Sequence, residues 1–269
     1  MVQLNTREEV YPHKLRRLYR PFLALAEERR EIVSAVAGAF EQDGHRYTIP
    51  RFTFCGPPGS TPPLRIGIFA VVHGDEPAGA LALETLFNQL ADDPADALGY
   101  ELIAYPVCNP TGYEDETRFN RAGFDLNREF WRESPLPEIQ ILEHELRTQR
   151  FDGIIALHAD DTSEGLYGYS QGRLINEQLL RPALRACAGI LPLNEAEIID
   201  GFRAHESVIC HDCYKGILTA PPELRPQPFE IIFETPARAP LTQQAEAASC
   251  ALRALLSEYR RFIAQGINL

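Results

Sequence analysis

Four short apolar runs constrain this chain more than any other feature. Ile66–Val72, Tyr100–Val107, Phe151–Leu157 and Phe229–Phe233 are continuous rather than alternating. Helical patterns lie between and after them, over Pro77–Leu90, Pro137–Arg150 and Leu241–Ile263. Pro77 suits a first helical position, where a missing N–H costs nothing. Strands without polar alternation are covered on both faces, so the pattern predicts an α/β sheet between helices. In such sheets ligands gather at the carboxyl ends of the strands. The residues just after each run are therefore the informative part of the sequence.

His73-Gly74-Asp75-Glu76 follows the first run, and Asn109-Pro110-Thr111-Gly112 follows the second. His158 follows the third and Glu234 the fourth. Two imidazoles and two carboxylates are thus delivered to the predicted ligand edge. His73, Glu76 and His158 make a two-histidine, one-carboxylate set, which suits zinc with an open position for water. Glu234 is placed to take a proton from that water and pass it to a leaving group. Glu230 competes with it, because residues four apart on a strand share a face. Glu234 is preferred because it stands at the strand end.

Residues 118–130 form a polar loop that reads Arg118-Phe-Asn120-Arg-Ala-Gly123-Phe-Asp125-Leu126-Asn127-Arg128-Glu-Phe130. Asn127 and Arg128 place an amide donor beside a guanidinium fork, a natural clamp for a substrate carboxylate. Arg118 supplies a second positive charge where an oxyanion would develop.

These motifs, in this order over roughly residues 64–240, resemble the zinc metallocarboxypeptidase family. That family includes the aspartoacylase and succinylglutamate desuccinylase branch. The resemblance implies a single catalytic domain on a mixed eight-stranded sheet flanked by helices on both faces. It implies one Zn2+ ion held by His73, Glu76 and His158, with Glu234 as general base and then proton donor. It implies Arg118 at the oxyanion and Asn127 and Arg128 on the substrate carboxylate. The family often carries a mobile tyrosine about twenty residues before the base, and Tyr214 stands there. The chain departs from the digestive carboxypeptidases after the third ligand, where His158 is followed by Ala159-Asp160-Asp161. Asp160, Asp161, Ser163, Glu164, Tyr167 and Tyr169 either line the pocket or solvate a loop. The substrate expected is a small peptide cleaved beside its terminal carboxylate. The alternative is an N-acyl amino acid, as for the aspartoacylase and desuccinylase branch.

Composition narrows the partners. A formal charge of −12 argues against binding duplex nucleic acid or an anionic membrane surface. No window approaches a membrane span, and residues 1–20 show no signal-peptide pattern. The six scattered cysteines then read as reduced thiols of a cytoplasmic protein. Cys210 and Cys213 form a single CxxC without a second pair, read as buried or incidental thiols. A dication with Arg118 and Arg128 in one cleft would make a local trap for anions within an acidic chain. Oligomeric state is not legible.

Gly56–Pro63 reads as a linker, so residues 1–60 are expected to be a helical N-terminal extension and 61–269 the catalytic domain. In the extension, Leu15, Leu18, Phe22 and Leu25 recur at helical spacing, and Ile32, Val33, Val36 and Phe40 suggest a second helix. The extension is read either as a cap or dimer element or as an embellishment packed on the main domain.

Overall fold

A computed structural model describes residues 12–59, 61–209 and 214–267. Cys210 and Cys213 lie outside the described residues. In chain order the elements are α1 (His13–Glu28), β1 (Ile32–Gln42), β2 (His45–Cys55), β3 (Leu64–Ala70), α2 (Ala78–Asp92) and β4 (Tyr100–Tyr105). Next come α3 (Pro110–Asp115), α4 (Pro137–Thr148), β5 (Gly153–Asp160), β6 (Tyr167–Ser170), α5 (Arg173–Ile175) and α6 (Arg181–Cys187). The chain continues through β7 (Ile198–Ile199), β8 (Phe202–His205), β9 (Val208–Ile209), β10 (Phe229–Pro236) and α7 (Leu241–Ile267).

The strands form one mixed sheet in the order β1-β2-β4-β3-β5-β10-β6-β9-β8-β7. It has ten strands among the described residues rather than the eight expected. Its centre is parallel: β4, β3, β5 and β10 run the same way. These are the four apolar runs of the sequence; β3, β4 and β5 are largely buried on both faces, whereas β10 alternates and turns Ile232 and Glu234 to the cavity. One face is covered by α1, α2, α6 and α7, whose apolar side chains join Ile66, Ile68, Leu102, Ile155 and Phe233 in the larger core. The other face is covered by α4, where Leu142 and Leu146 meet Phe69, Ile103, Phe151 and Ile154.

The extra strands come from the two edges of the sheet. Residues 32–55 form a β-hairpin, not a second helix, and its second strand pairs with β4. Its turn is Asp43-Gly44, with both residues at positive φ, 51° and 74°. That is the two-residue turn whose twist matches antiparallel strands, and Asp-Gly is its usual sequence. The same device recurs at the opposite edge. Asp200-Gly201 joins β7 to β8, with φ 49° and 80°, and Glu206-Ser207 joins β8 to β9. Strands of two to four residues carry no visible period.

The helix α1 does form as its spacing predicts. It buries Leu15, Leu18, Tyr19, Phe22 and Leu25. Phe22 stacks on Phe52 of β2 at 5.0 Å and meets Phe87 of α2 edge-on at 6.1 Å. Residues 12–55 thus pack into the main sheet and core, and none of them lines the cavity over the expected site. Among the described residues no helix is long and apolar enough to cross a membrane.

Candidate metal centre and its cavity

The chain leaves β3 through an abrupt turn. Val71 takes φ 51°, a rare conformation for a β-branched residue, and the backbone N–H groups of Cys108 and Asn109 donate to the carbonyls of Ala70 and Val71. Strain of this kind collects at functional sites. The turn swings His73 and Glu76 over the sheet edge just before α2 begins. His158 and Glu234 arrive from the last residues of β5 and β10, where they are direct partners in the parallel register. Both lie inside their strands rather than beyond them.

The three expected ligands converge. One ligand atom from each of His73, Glu76 and His158 lies within 4.8 Å of the others, and all three residues are buried. His73 Nδ1 is 2.6 Å from Glu76 Oε1, and His158 Nδ1 is 2.9 Å from Glu76 Oε2. The backbone N–H of Ala159 donates to the same Oε2 at 3.1 Å. Burial alone would raise the Glu76 carboxyl, but the two imidazoles overcome it and hold the group down to about 2. Burial also lowers His158, whereas Glu76 and Asp125 prevail over burial at His73 and raise it. Two imidazoles and an ionised carboxylate, converging and buried, fit a divalent metal ion of borderline softness. The second nitrogen of His73 lies 3.1 Å from Asp125 Oδ1. A carboxylate behind a ligating histidine fixes the ring's orientation and raises its basicity.

Asp125 was missed as a functional residue, although it stands in the middle of the Arg118–Phe130 motif. Its Oδ1 also accepts from the backbone N–H of Asn127, and its Oδ2 accepts from Arg118 at 3.1 and 3.2 Å. Arg118 further approaches Glu76 at 3.6 Å. Asn127 is buried, accepts from the Leu218 N–H at 2.9 Å and directs its amide nitrogen toward His158 at 3.5 Å.

The loop itself is held from below. Asn120 is buried, accepts from the Phe124 N–H at 3.0 Å and donates to Glu138 at 3.3 Å. Glu138 is fully buried on α4, and burial raises its carboxyl. The Asn109-Pro110-x-Gly112 motif has a packing reason. Asn109 caps α3 by accepting from the Gly112 N–H, and a Cβ on Gly74 would stand 2.0 Å from the Gly112 carbonyl carbon. Only a residue without a Cβ fits at Gly74, and a Cβ on Gly112 would in turn meet the Asn109 amide and the Phe119 carbonyl.

A cavity of about 440 Å³ opens over this centre. His73, Glu76, Arg118, Asn127, Arg128, Tyr214 and Glu234 all line it, so it gathers every expected site residue except the more deeply buried His158. Glu230 does not line it; its carboxylate accepts from the Ala220 N–H at 2.6 Å. Burial, with Glu76, Asp160 and Asp200 nearby, pushes the Glu234 carboxyl well above the ordinary range. Such a group is a better proton acceptor and carrier near neutrality than an ordinary carboxylate. The Arg128 guanidinium lies over the Tyr214 ring, 4.0 Å from its centroid, and the Tyr214 hydroxyl donates to Asp200 at 3.1 Å. Asp160, Asp161, Tyr167 and Tyr169 line the cavity, whereas Ser163 and Glu164 do not.

One expectation changes. The cavity is lined by six carboxyl side chains and only two guanidinium groups. A dication would still leave this balance negative, so the pocket is not simply a trap for anions.

The chain's likenesses agree with this architecture. Residues 63–186 match the succinylglutamate desuccinylase/aspartoacylase catalytic domain. No curated protein matches the chain. Among solved structures, a metallopeptidase candidate from Shewanella denitrificans superposes with a TM-score of 0.71 at 23% identity, over 90% of this chain and 89% of that one. A metallo-carboxypeptidase from Burkholderia cenocepacia gives 0.69 at 17%, over 91% and 69%. Bovine thrombin-activatable fibrinolysis inhibitor, in complex with tick carboxypeptidase inhibitor, gives 0.66 at 16%, over 93% and 97%. At these identities the likeness is one of fold. With the catalytic-domain match, it supports the metallocarboxypeptidase-like family read from the sequence, including its desuccinylase and aspartoacylase branch.

Proposed function

We propose that this protein is a zinc-dependent hydrolase that cleaves an amide bond near a substrate carboxylate. One observation carries the reading: ligand atoms of His73, Glu76 and His158 converge within 4.8 Å at the floor of a cavity that also holds Glu234, Arg118 and Arg128. Zinc held by those three residues would supply Lewis acidity toward a carbonyl oxygen and toward water. Glu234 then accepts the water proton and returns it to the departing nitrogen, the exchange its raised affinity for protons favours. Arg118 reaches the developing oxyanion from its anchor on Asp125. Arg128, with the Asn127 amide beside it, orients the substrate carboxylate. Peptide carboxypeptidase activity is the first form of this reading. An N-acyl amino-acid amidohydrolase is the second, favoured by the catalytic-domain match over residues 63–186.

Zinc analysis of the purified protein, with hydrolysis of a panel of short peptides and N-acyl amino acids, tests the proposal. Bound zinc near one equivalent and a Glu234→Gln variant that keeps the metal but loses at least about a hundredfold in kcat are expected. Full activity in Glu234→Gln would remove the base, and unchanged zinc content in His73→Ala would remove the ligand set.

A further inference from the structure

The outer wall of the cavity carries charge beyond the metal ligands, Glu234 and the two arginines. Asp160 and Asp200 both line it, and neither is ion-paired among the described residues. Their hydrogen bonds come from neutral groups. Thr162 and the Tyr167 hydroxyl serve Asp160, at 2.7 and 3.0 Å, and the Tyr214 hydroxyl serves Asp200. Those donors orient the carboxylates without cancelling their charge. Asp161 adds a third acid beside Asp160.

These acids do not make a second metal site. The only group of three or more metal-binding side chains that converges among the described residues is His73, Glu76 and His158. The wall carboxylates line the same cavity without converging on a point, which suits a cation with several N–H donors better than a metal ion. Tyr167 and Phe202 bring aromatic rings to the same cavity, whereas a face of Tyr214 is taken by Arg128. Aromatic faces attract ammonium and guanidinium groups.

The two charge signs share one side chain. Arg128 lies on the ring face of Tyr214, and Asp200 takes the hydroxyl at its other end. A substrate carboxylate at Arg128 would therefore sit one tyrosine side chain away from an acidic wall. A second carboxylate on the substrate would meet repulsion there, whereas a protonated nitrogen would meet a counter-charge.

We infer that the substrate is zwitterionic: beside the carboxylate read by Arg128, it carries a protonated amino or guanidinium group held by Asp160 and Asp200. This rests on the hydrolase reading above and deepens it, and it runs against N-acyl derivatives of aspartate or glutamate as substrates.

The test uses the zinc-loaded full chain and compares kcat/KM within pairs of similar substrates that differ by one positive charge. Ala-Ala against N-acetyl-Ala-Ala reads a free amino group. N-acetyl-Ala-Lys and N-acetyl-Ala-Arg against N-acetyl-Ala-Gln read a basic side chain. N-acetylaspartate and N-acetylglutamate read the dianions. At least one cationic member should exceed its neutral partner by about tenfold or more, and the dianions should be slowest. Asp200→Asn should bring that ratio to within about threefold of one. Asparagine is well tolerated at the left-handed φ of 49° that Asp200 adopts, and a matching thermal melt would establish that the variant folds. Equal turnover of cationic and neutral members, preference for the dianions, or a ratio unmoved in both Asp200→Asn and Asp160→Asn would overturn the inference and leave the hydrolase reading standing. Hydrolysis of nothing in the panel by the zinc-loaded protein would overturn both.

Discussion

Under the cavity, residues 109–128 hold their buried polar side chains by several partners each. Asn109 serves Gly112 and Val72, Asn120 serves Phe124 and Glu138, and Asp125 serves His73, Arg118 and Asn127. Across the cavity, the flap, described over residues 198–209 and 214–218, contains strands of two to four residues, and its Tyr214 is 40% exposed. Asp200 and Tyr214 bond to each other there, with the Tyr214 ring resting on Arg128. In the proposed function the floor would hold the metal ligands within the narrow geometry that catalysis needs. The flap brings charged and aromatic residues to the cavity, and in the proposed function it would select a substrate without needing such rigidity. If that division is right, floor variants should lose metal or fold, and flap variants should lose only selectivity.

The largest effect should come from Gly74→Ala. The new Cβ would fall 2.0 Å from the backbone of Gly112, and neither chain is the far end of a flexible side chain. Overpacking against backbone should cost more than about 3 kcal/mol, read as a collapse of the urea midpoint or failure to fold. A variant with wild-type stability and zinc affinity would show that the floor yields as readily as the flap, and the contrast would be gone.

Asp125→Asn comes next and tests the floor without breaking it. The amide oxygen can still cap Asn127, but the charge behind His73 and beneath Arg118 is removed. Zinc affinity should fall by about ten- to a hundredfold by competition with a chelator, with a small change in melting temperature measured in excess zinc. Unchanged affinity would mean that His73 is oriented by the backbone turn alone.

The same division explains what was legible in the sequence. The floor is written in local motifs: His73-x-x-Glu76, Asn109-Pro110-x-Gly112 and Arg118–Phe130 each keep their residues close along the chain, so their chemistry is visible without a structure. The central strands are legible too, because burial on both faces leaves continuous apolar runs. The flap is less so: Tyr214 stands out by its distance from Glu234, but Asp200 reaches it only through the turn between β7 and β8, strands too short to show a period. The hairpin of β1 and β2 was misread for a different reason. Ile32, Val33, Val36 and Phe40 fit a helical spacing, yet Asp43-Gly44 is a hairpin signal that should have outweighed it. Asp200-Gly201 is the same signal at the other edge, and it places the very aspartate that shapes the cavity.

Tyr214→Phe should have the smallest effect and draws the line between the two regions most finely. It removes the hydroxyl that donates to Asp200 but keeps the ring under Arg128. An exposed hydrogen bond and a retained cation–π contact predict a cost below about 1 kcal/mol, or less than roughly fivefold in KM, with kcat and melting temperature nearly unchanged. The cost should appear with cationic substrates and vanish with neutral ones, because the lost bond orients the carboxylate that faces the cation. A loss of a hundredfold in kcat for every substrate would have a different meaning. The hydroxyl would then touch the reacting atoms, the flap would have to close onto the floor in each turnover, and Tyr214 would belong with Glu234 rather than with Asp200.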